Sequence, residues 1–217
     1  MVSILITAGP TREHLDDVRF LSNGSSGRMG CALARAALAG GHEATLVLGP
    51  VDIEPPAGAV VVRVVSALEM QAAAEAAWPH ADVAIAAAAV ADWRPARRAA
   101  GKPPRGPAGT ATLELVPNPD IVAGLAAGKG RRVVFGFGLE SAAAGMPAAL
   151  ARGREKLQRK QLDGIVVDLT SAIGSDAAEF VLCLRDGREE ALPPDKVQAA
   201  ARVVAVAVDE WRARQAS

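Results

Sequence analysis

The residues with the clearest chemical potential lie in one short stretch, Asn23-Gly24-Ser25-Ser26-Gly27-Arg28-Met29-Gly30. Glycines at 24, 27 and 30 allow a backbone to approach a ligand closely, and the serines add hydroxyl donors. If a helix opens here, its first N–H groups have no partner within the helix and carry partial positive charge, so the loop can cradle phosphate oxygens. The same composition could serve only to turn the chain. The context departs from a dinucleotide fingerprint. Residues 9–23 separate the loop from the first apolar run, and the second apolar run ends in Leu48-Gly49-Pro50, with no acid to hold a ribose diol.

Three other stretches could contribute. Ala86-Ala87-Ala88-Ala89-Val90-Ala91-Asp92 closes an apolar run with small residues that leave room for a ligand, and Asp92 could hold a base, a sugar or a metal ion. Close alanine packing with a solvated or capping Asp92 is the plain alternative. Residues 93–109 scatter Arg94, Arg97, Arg98, Lys102 and Arg105 among prolines and glycines with neither helical nor strand period. They read as an exposed, mobile loop that could close over a triphosphate, or as a solvated charge run. Lys156 and Lys160 sit one turn apart on one helix face and could hold a nucleotide, although a solvated face near a helix C-terminus looks the same. Cys31, Cys183, His14, His42 and His80 show no zinc spacing, so the metal ligands, if any, are unknown and the cysteines read as reduced, buried thiols.

The elements that must position these groups alternate. Apolar runs at 4–7, 44–48, 60–65, 81–87, 133–137 and 164–167 read as strands, and 110–115 as a half-buried one. Helices are expected from Gly27 to the Gly40-Gly41 stop, from the Ser66/Glu69 capping box to about 77, after an Asn118 cap with Pro119 at the first helical position, over 148–160, and over 194–214. Residues 12–23 read as a polar connection, and 180–192 as a hairpin turning at Asp186-Gly187. Strand–helix alternation predicts an α/β fold: a Rossmann-like three-layer α/β/α arrangement with a mainly parallel central sheet, a flap at about 94–109 and a C-terminal hairpin, within one domain over 1–217.

The 217 residues carry 24 Lys+Arg against 24 Asp+Glu, so no global field attracts nucleic acid or a membrane. Aromatic residues make up only 3%, too few for a base-stacking platform. The apolar run at 83–91 is too short to cross a bilayer, and residues 1–6 lack the charged region of a signal peptide. A cytoplasmic protein without nucleic-acid or membrane partners is the expectation.

Taken in order, several blocks resemble the phosphopantothenoylcysteine synthetase family. They are Ile4-Leu5-Ile6-Thr7-Ala8-Gly9-Pro10-Thr11-Arg12-Glu13, the run from Asp17 to Gly30, Ala88 to Trp93, Asn118 to Val122, Gly136-Phe137, and Lys156 to Asp163. They span essentially the whole chain. The resemblance implies a ligase that joins 4′-phosphopantothenate to L-cysteine through an acyl-nucleotide, with Mg²⁺ and CTP (or ATP) as co-substrate, acting as a homodimer. It covers only the synthetase part of proteins often fused to a flavin-dependent decarboxylase, so it implies no flavin. By position, Asn23 matches the residue linked to the acyl-nucleotide and its attack by cysteine, Arg19 and Ala89 belong to the same half, and Lys102 stands where the family has its flap lysine. The implied nucleotide-binding set is Gly9, Ser25, Ser26, Gly27, Met29, Ala86, Ala87, Ala88, Asp92, Lys102, Pro119, Asp120, Ile121, Val122, Phe137, Lys156 and Lys160. Three departures bear on rate and nucleotide preference: Lys102-Pro103-Pro104-Arg105 for the usual Lys-Ile-Lys-Lys, Val167-Asp168 for Ala-Asn-Asp, and Glu179 rather than Asn after Gly174-Ser175-Asp176. The competing readings are a nicotinamide-dependent oxidoreductase of the doubly wound class and a non-catalytic nucleotide-binding paralogue.

Overall fold

The computed structural model describes residues 1–102, 112–170 and 178–216. In chain order the elements are β1 (Ser3–Ala8), β2 (Arg12–His14), β3 (Phe20–Ser22), α1 (Arg28–Ala39), β4 (Glu43–Leu48), β5 (Val60–Arg63), α2 (Ala67–Ala77), β6 (Val83–Ala86), β7 (Trp93–Pro95), β8 (Leu115–Pro117), α3 (Ile121–Ala127), β9 (Val133–Glu140), α4 (Gly145–Arg159), β10 (Gly164–Leu169), β11 (Val181–Leu184), β12 (Glu189–Ala191) and α5 (Lys196–Ala216). Eight strands form the central sheet, in the order β12-β11-β10-β9-β6-β1-β4-β5. From β5 to β10 they run parallel, and β11 and β12 close one edge as an antiparallel hairpin.

The order explains where a ligand must go. From β1 the chain winds outward to β4 and β5, then crosses back to build β6, β9 and β10 on the other side. The winding therefore reverses between β1 and β6, and the loops leaving the carboxyl ends of these two strands diverge to opposite faces. A crevice opens there for topological reasons alone.

Strand alternation divides the core into two layers. Ile4, Ile6 and Ala8 of β1 and Val166 of β10 pack on the face covered by α1 and α5, whereas Leu5, Ile165 and Val167 face α2, α3 and α4. Both faces are covered, so the strands read as continuous apolar runs. With so few aromatic rings, small residues do much of the filling: Cys31, Ala34 and Ala37 of α1 and Ala199, Ala200 and Ala207 of α5 are fully buried. The cysteines are free and buried, as expected. At the sheet end remote from the crevice, the buried Asp163 carboxylate accepts from Lys129 Nζ at 2.6 Å, Val134 N at 2.8 Å and Arg214 Nη2 at 2.5 Å. This staple ties β9, β10 and the end of α5 together.

The architecture follows the sequence reading, with local corrections. Residues 12–22 are not merely a connection. β2 and β3 pair as an antiparallel ribbon, with Glu13 buried so that its Oε1 accepts from Ala67 N at the start of α2. Residues 93–95 are a strand paired with β8, not loop, and the strand expected at 110–115 begins at Leu115; residues 103–111 lie outside the described residues. Both ribbons are short and stabilised by tertiary neighbours, which periodicity cannot register. The cap of α3 is Asp120, whose Oδ1 accepts from Ala123 N at 3.2 Å, and not Asn118. Ser66 caps α2 as expected, but the Glu69 carboxylate reaches one residue further back, to Val65 N at 2.7 Å.

Candidate active site

A cleft of about 740 Å³ lies outside the carboxyl ends of β1, β6, β9 and β10. One rim is the Gly/Ser loop. Gly27 is the N-cap of α1 with φ 73°, a left-handed conformation suited to glycine, and no side chain caps the helix. The first turn holds no acid, and Ser25 and Ser26 hydroxyls make only long contacts with Gly27 N (3.4 Å) and Arg28 N (3.5 Å). The first amides and positive end of a twelve-residue helix thus border the cleft. Gly30 makes this placement feasible, because a Cβ there would sit 2.2 Å from Ala8 Cβ. Only a bare backbone lets α1 rest directly on the end of β1.

The wall opposite is the segment after β6. Ala89 N donates to Gly9 O (2.9 Å) and Ala91 N to Thr11 Oγ1 (3.0 Å), so the chain leaving β6 is stitched to the chain leaving β1. Asn23 completes the stitch. Its Nδ2 donates to Ala89 O at 3.2 Å and Val90 O at 3.1 Å. Two carbonyl acceptors orient the amide unambiguously and leave Oδ1 to accept from a ligand. On the α3/α4 side, Lys156 Nζ pairs with Glu140 at 2.6 Å and Lys160 Nζ with Asp120 at 2.8 Å. Glu140 also receives Arg152 at 2.5 Å. Burial alone would push its carboxyl up, but the hydrogen bonds from Lys156 and Arg152 outweigh it and hold Glu140 below the usual carboxylate range. Both lysines are therefore prepositioned cations at the cleft. Asn118 joins this side to the β7–β8 ribbon: its Nδ2 donates to Ala91 O (2.8 Å) and its Oδ1 accepts from Arg94 Nη1 (3.1 Å).

The α1/α5 side of the cleft is lined by Phe137, Phe180, Asp168 and Lys196. Asp168 belongs to the same face of β10 as Val166 by alternation. Burial pushes its carboxyl up to about 7, against the opposing pull of Lys196. Among the described residues no three acidic, imidazole or thiol groups converge on a metal position. No described helix is long and apolar enough to cross a membrane. The turn after β4 approaches residue 10 so closely that a Cβ at Gly49 would fall 1.9 Å from Pro10 O. The position where a dinucleotide site would place its acid is thus filled by backbone.

The chain that builds this cleft matches a known family over nearly its whole length. Residues 1–210 match the model of the DNA/pantothenate metabolism flavoprotein C-terminal domain. The chain belongs to this family. Among curated relatives, the coenzyme A biosynthesis bifunctional protein CoaBC of Mycobacterium bovis is 39% identical over 212 residues, covering 93% of this chain and 50% of that protein. The protein of the same name from Escherichia coli (strain K12) is 42% identical over 202 residues, covering 90% of this chain and 48% of that one. The chain thus spans about half the length of the curated relatives it matches. A crystal structure of the C-terminal domain of a CoaBC protein superposes with a TM-score of 0.78 at 30% identity, covering 100% of this chain and 97% of the other.

For this family member, most of the residues singled out in the sequence converge on the one cleft. The loop residues Asn23, Ser25, Ser26, Gly27 and Met29, the segment with Ala86, Ala87, Ala88, Ala89 and Asp92, and Pro119, Asp120, Ile121, Val122, Phe137, Lys156 and Lys160 all line it. Three do not. Gly9 stands behind the rim, where a Cβ would press on Val51 Cγ1 at 3.0 Å. Arg19 is held at the turn between β2 and β3 by Asp16, at 2.6 Å. Lys102 is exposed and is the last described residue of its segment. The root of the expected flap is docked on that same turn, with Ala99 N donating to Leu15 O (2.8 Å) and Arg98 Nη2 to Asp17 Oδ1 (2.9 Å). Pro103, Pro104 and Arg105, and Gly174, Ser175 and Asp176, lie outside the described residues. The sequence reading missed Asn118, Asp168 and Lys196 as cleft residues. For Asp168 a signal existed, since it is a carboxylate at the carboxyl end of a parallel strand, where α/β crevices present their polar groups.

Proposed function

We propose that the chain joins 4′-phosphopantothenate to L-cysteine, with a nucleoside triphosphate activating the carboxylate. A carboxylate is a poor electrophile at neutral pH. Attack of its oxygen on the α-phosphate forms an acyl-nucleotide and releases pyrophosphate. Attack of the cysteine amine on the acyl carbon then forms the amide and releases the nucleoside monophosphate. No electrons change hands, so the reaction calls for no flavin. We take the nucleotide to be CTP, which the family resemblance favours over ATP, and the active species to be a cytoplasmic homodimer. The exposed Phe20, Trp93 and Leu115 of the two ribbons offer apolar contacts for a second copy.

The residues divide the work. The amides of the Gly/Ser loop take phosphate oxygens, with Lys156 and Lys160 supplying charge on the other side of the sheet edge and Lys102 approaching from the flap. Mg²⁺ fits a site without a protein cage, because it retains water and binds largely through nucleotide phosphates; it would add positive charge at the reacting phosphate, and Asp92 is an exposed carboxylate on the rim that would hold it. Asn23 orients the incoming amine, an N–H donor, through the one oxygen left after its two bonds to carbonyls. The observation that carries this reading is Asn23 at the leading edge of the phosphate loop, fastened across the switch point to Ala89 and Val90. Retention of this stitch also speaks against a non-catalytic paralogue.

The test is pyrophosphate release with 4′-phosphopantothenate, Mg²⁺ and CTP or ATP, with and without cysteine. Release that depends on phosphopantothenate, followed by amide only when cysteine is present, is expected. Absence of release with both nucleotides would sink the ligase reading.

A further inference from the structure

Three carboxylates line the cleft, and they are not equivalent. Asp120 is committed to Lys160 and to the cap of α3. Asp92 is exposed on the rim. Asp168 is half-buried, and among the described residues no other side chain is placed to hydrogen-bond it. Its surroundings on β9 are Phe137 and Leu139, the residue before β11 is Phe180, and the charged group acting on it is Lys196 at the start of α5. A carboxylate withdrawn from water with no cation seated on it among the described residues is costly, and the cost is offset when a cationic ligand docks against it. Its carboxyl, pushed up to about 7 by burial, is also matched to proton transfer near neutral pH.

We propose that Asp168 receives the α-ammonium group of the amino-acid substrate and takes a proton from it before the amine attacks the acyl carbon. The inference rests on the ligase reading above. Of the organic reactants, phosphopantothenate and the nucleoside triphosphate are anions, and the amino acid alone brings an ammonium. Asp168 also lies on the α1/α5 side of the sheet, the same side as the phosphate-binding end of α1. In the step, the ammonium gives one proton to the Asp168 carboxylate and becomes an amine. The nitrogen lone pair forms the C–N bond, the acyl C–O bond to phosphorus-bound oxygen breaks, and its electron pair leaves with the nucleoside monophosphate. The nitrogen sheds a second proton to solvent, and Asp168 returns its own to solvent for the next turnover.

Asp168→Asn preserves shape and hydrogen-bonding capacity while removing the charge. The wild-type chain and the variant are compared in pyrophosphate release without amine, and in amide formation with cysteine between about pH 6 and 9. Capture of the acyl-nucleotide by hydroxylamine, a nucleophile that is neutral at pH 7, is measured alongside. The expected result is a rise of about tenfold or more in KM for cysteine, loss of the pH limb near neutrality, and no comparable loss in pyrophosphate release or hydroxylamine capture. An unchanged cysteine KM and pH profile would overturn the inference. So would equal losses with both nucleophiles, or a loss falling on pyrophosphate release or on the Mg²⁺ requirement, either of which would assign Asp168 to the nucleotide or its cation. A wild-type chain that released no pyrophosphate would instead remove the ligase reading itself.

Discussion

A single methyl group at Gly30 probes how the phosphate loop is held. Built on the backbone, that Cβ lies 2.2 Å from Ala8 Cβ and 3.1 Å from Ala8 Cα. Carbon atoms in ordinary contact sit about 3.5–4.0 Å apart, so the two segments must separate by roughly 1.5 Å. β1 cannot yield, because Ala8 is fully buried and its carbonyl accepts from Gly49 N at 2.9 Å. The helix must therefore lift, against its packing on α5. Overpacking of this kind costs about 1–3 kcal/mol. For a chain of this size that lowers the thermal midpoint by roughly 2–12 °C. The same lift carries the amides of residues 27–30 away from the phosphates, and misplacement by about 1 Å costs on the order of 10² in rate. Gly24→Ala is the control, because nothing lies within 4 Å of a Cβ there. It is expected to alter stability by less than about 0.5 kcal/mol. Thermal melts and pyrophosphate release are measured on both variants. A Gly30→Ala protein with wild-type midpoint and rate would refute the close-approach argument.

Other outcomes follow from the same contacts. Asn23→Asp turns a donor between two carbonyl oxygens into a carboxylate that they repel and displace; pyrophosphate release should survive while amide formation slows on the order of 10² and acyl-nucleotide accumulates, visible by anion-exchange chromatography after quenching. Amide formation at the normal rate would remove Asn23 from the second step. Asp163→Ala strips the carboxylate from buried Lys129 and partly exposed Arg214, and urea denaturation should report a loss of about 3–5 kcal/mol; a loss under about 1 kcal/mol would mean the staple carries little. Because the folded Asp168 carboxyl titrates at about 7, the folded chain binds a proton that the unfolded chain releases between about pH 4 and 7, so this group subtracts stability as pH rises through that window. Asp168→Asn should abolish that decline and be the more stable protein at pH 8, by up to about 4 kcal/mol, in urea melts at a series of pH values. Identical pH–stability curves for the two proteins would show that burial does not perturb Asp168.

Much of the site was legible because it is built from local rules. A Gly/Ser run followed by a helical period announces a helix N-terminus, and an alanine run closing a strand announces room beside it. The lysines at the end of α4, Lys156 and Lys160, were legible as a pair by spacing, but their partners Glu140 and Asp120 come from elsewhere in the chain, so their prepositioning was not. Spacing likewise presented the three loop glycines as equivalents. In the folded chain Gly24 is unconstrained, Gly27 supplies a left-handed cap and Gly30 a close approach to β1.

By itself the sequence determined the strand–helix alternation, the buried runs, and the Gly/Ser stretch that opens the first helix, because these depend on periodicity and on backbone groups within a few residues of each other. Only the tertiary structure decided that β1 and β6 are neighbours, that Asn23 therefore reaches Ala89 and Val90, and that Asp168 comes to a half-buried wall of the same cleft. Strand order and side-chain burial arise from contacts between residues far apart in the chain. The energy of a carboxylate depends on what those contacts leave beside it.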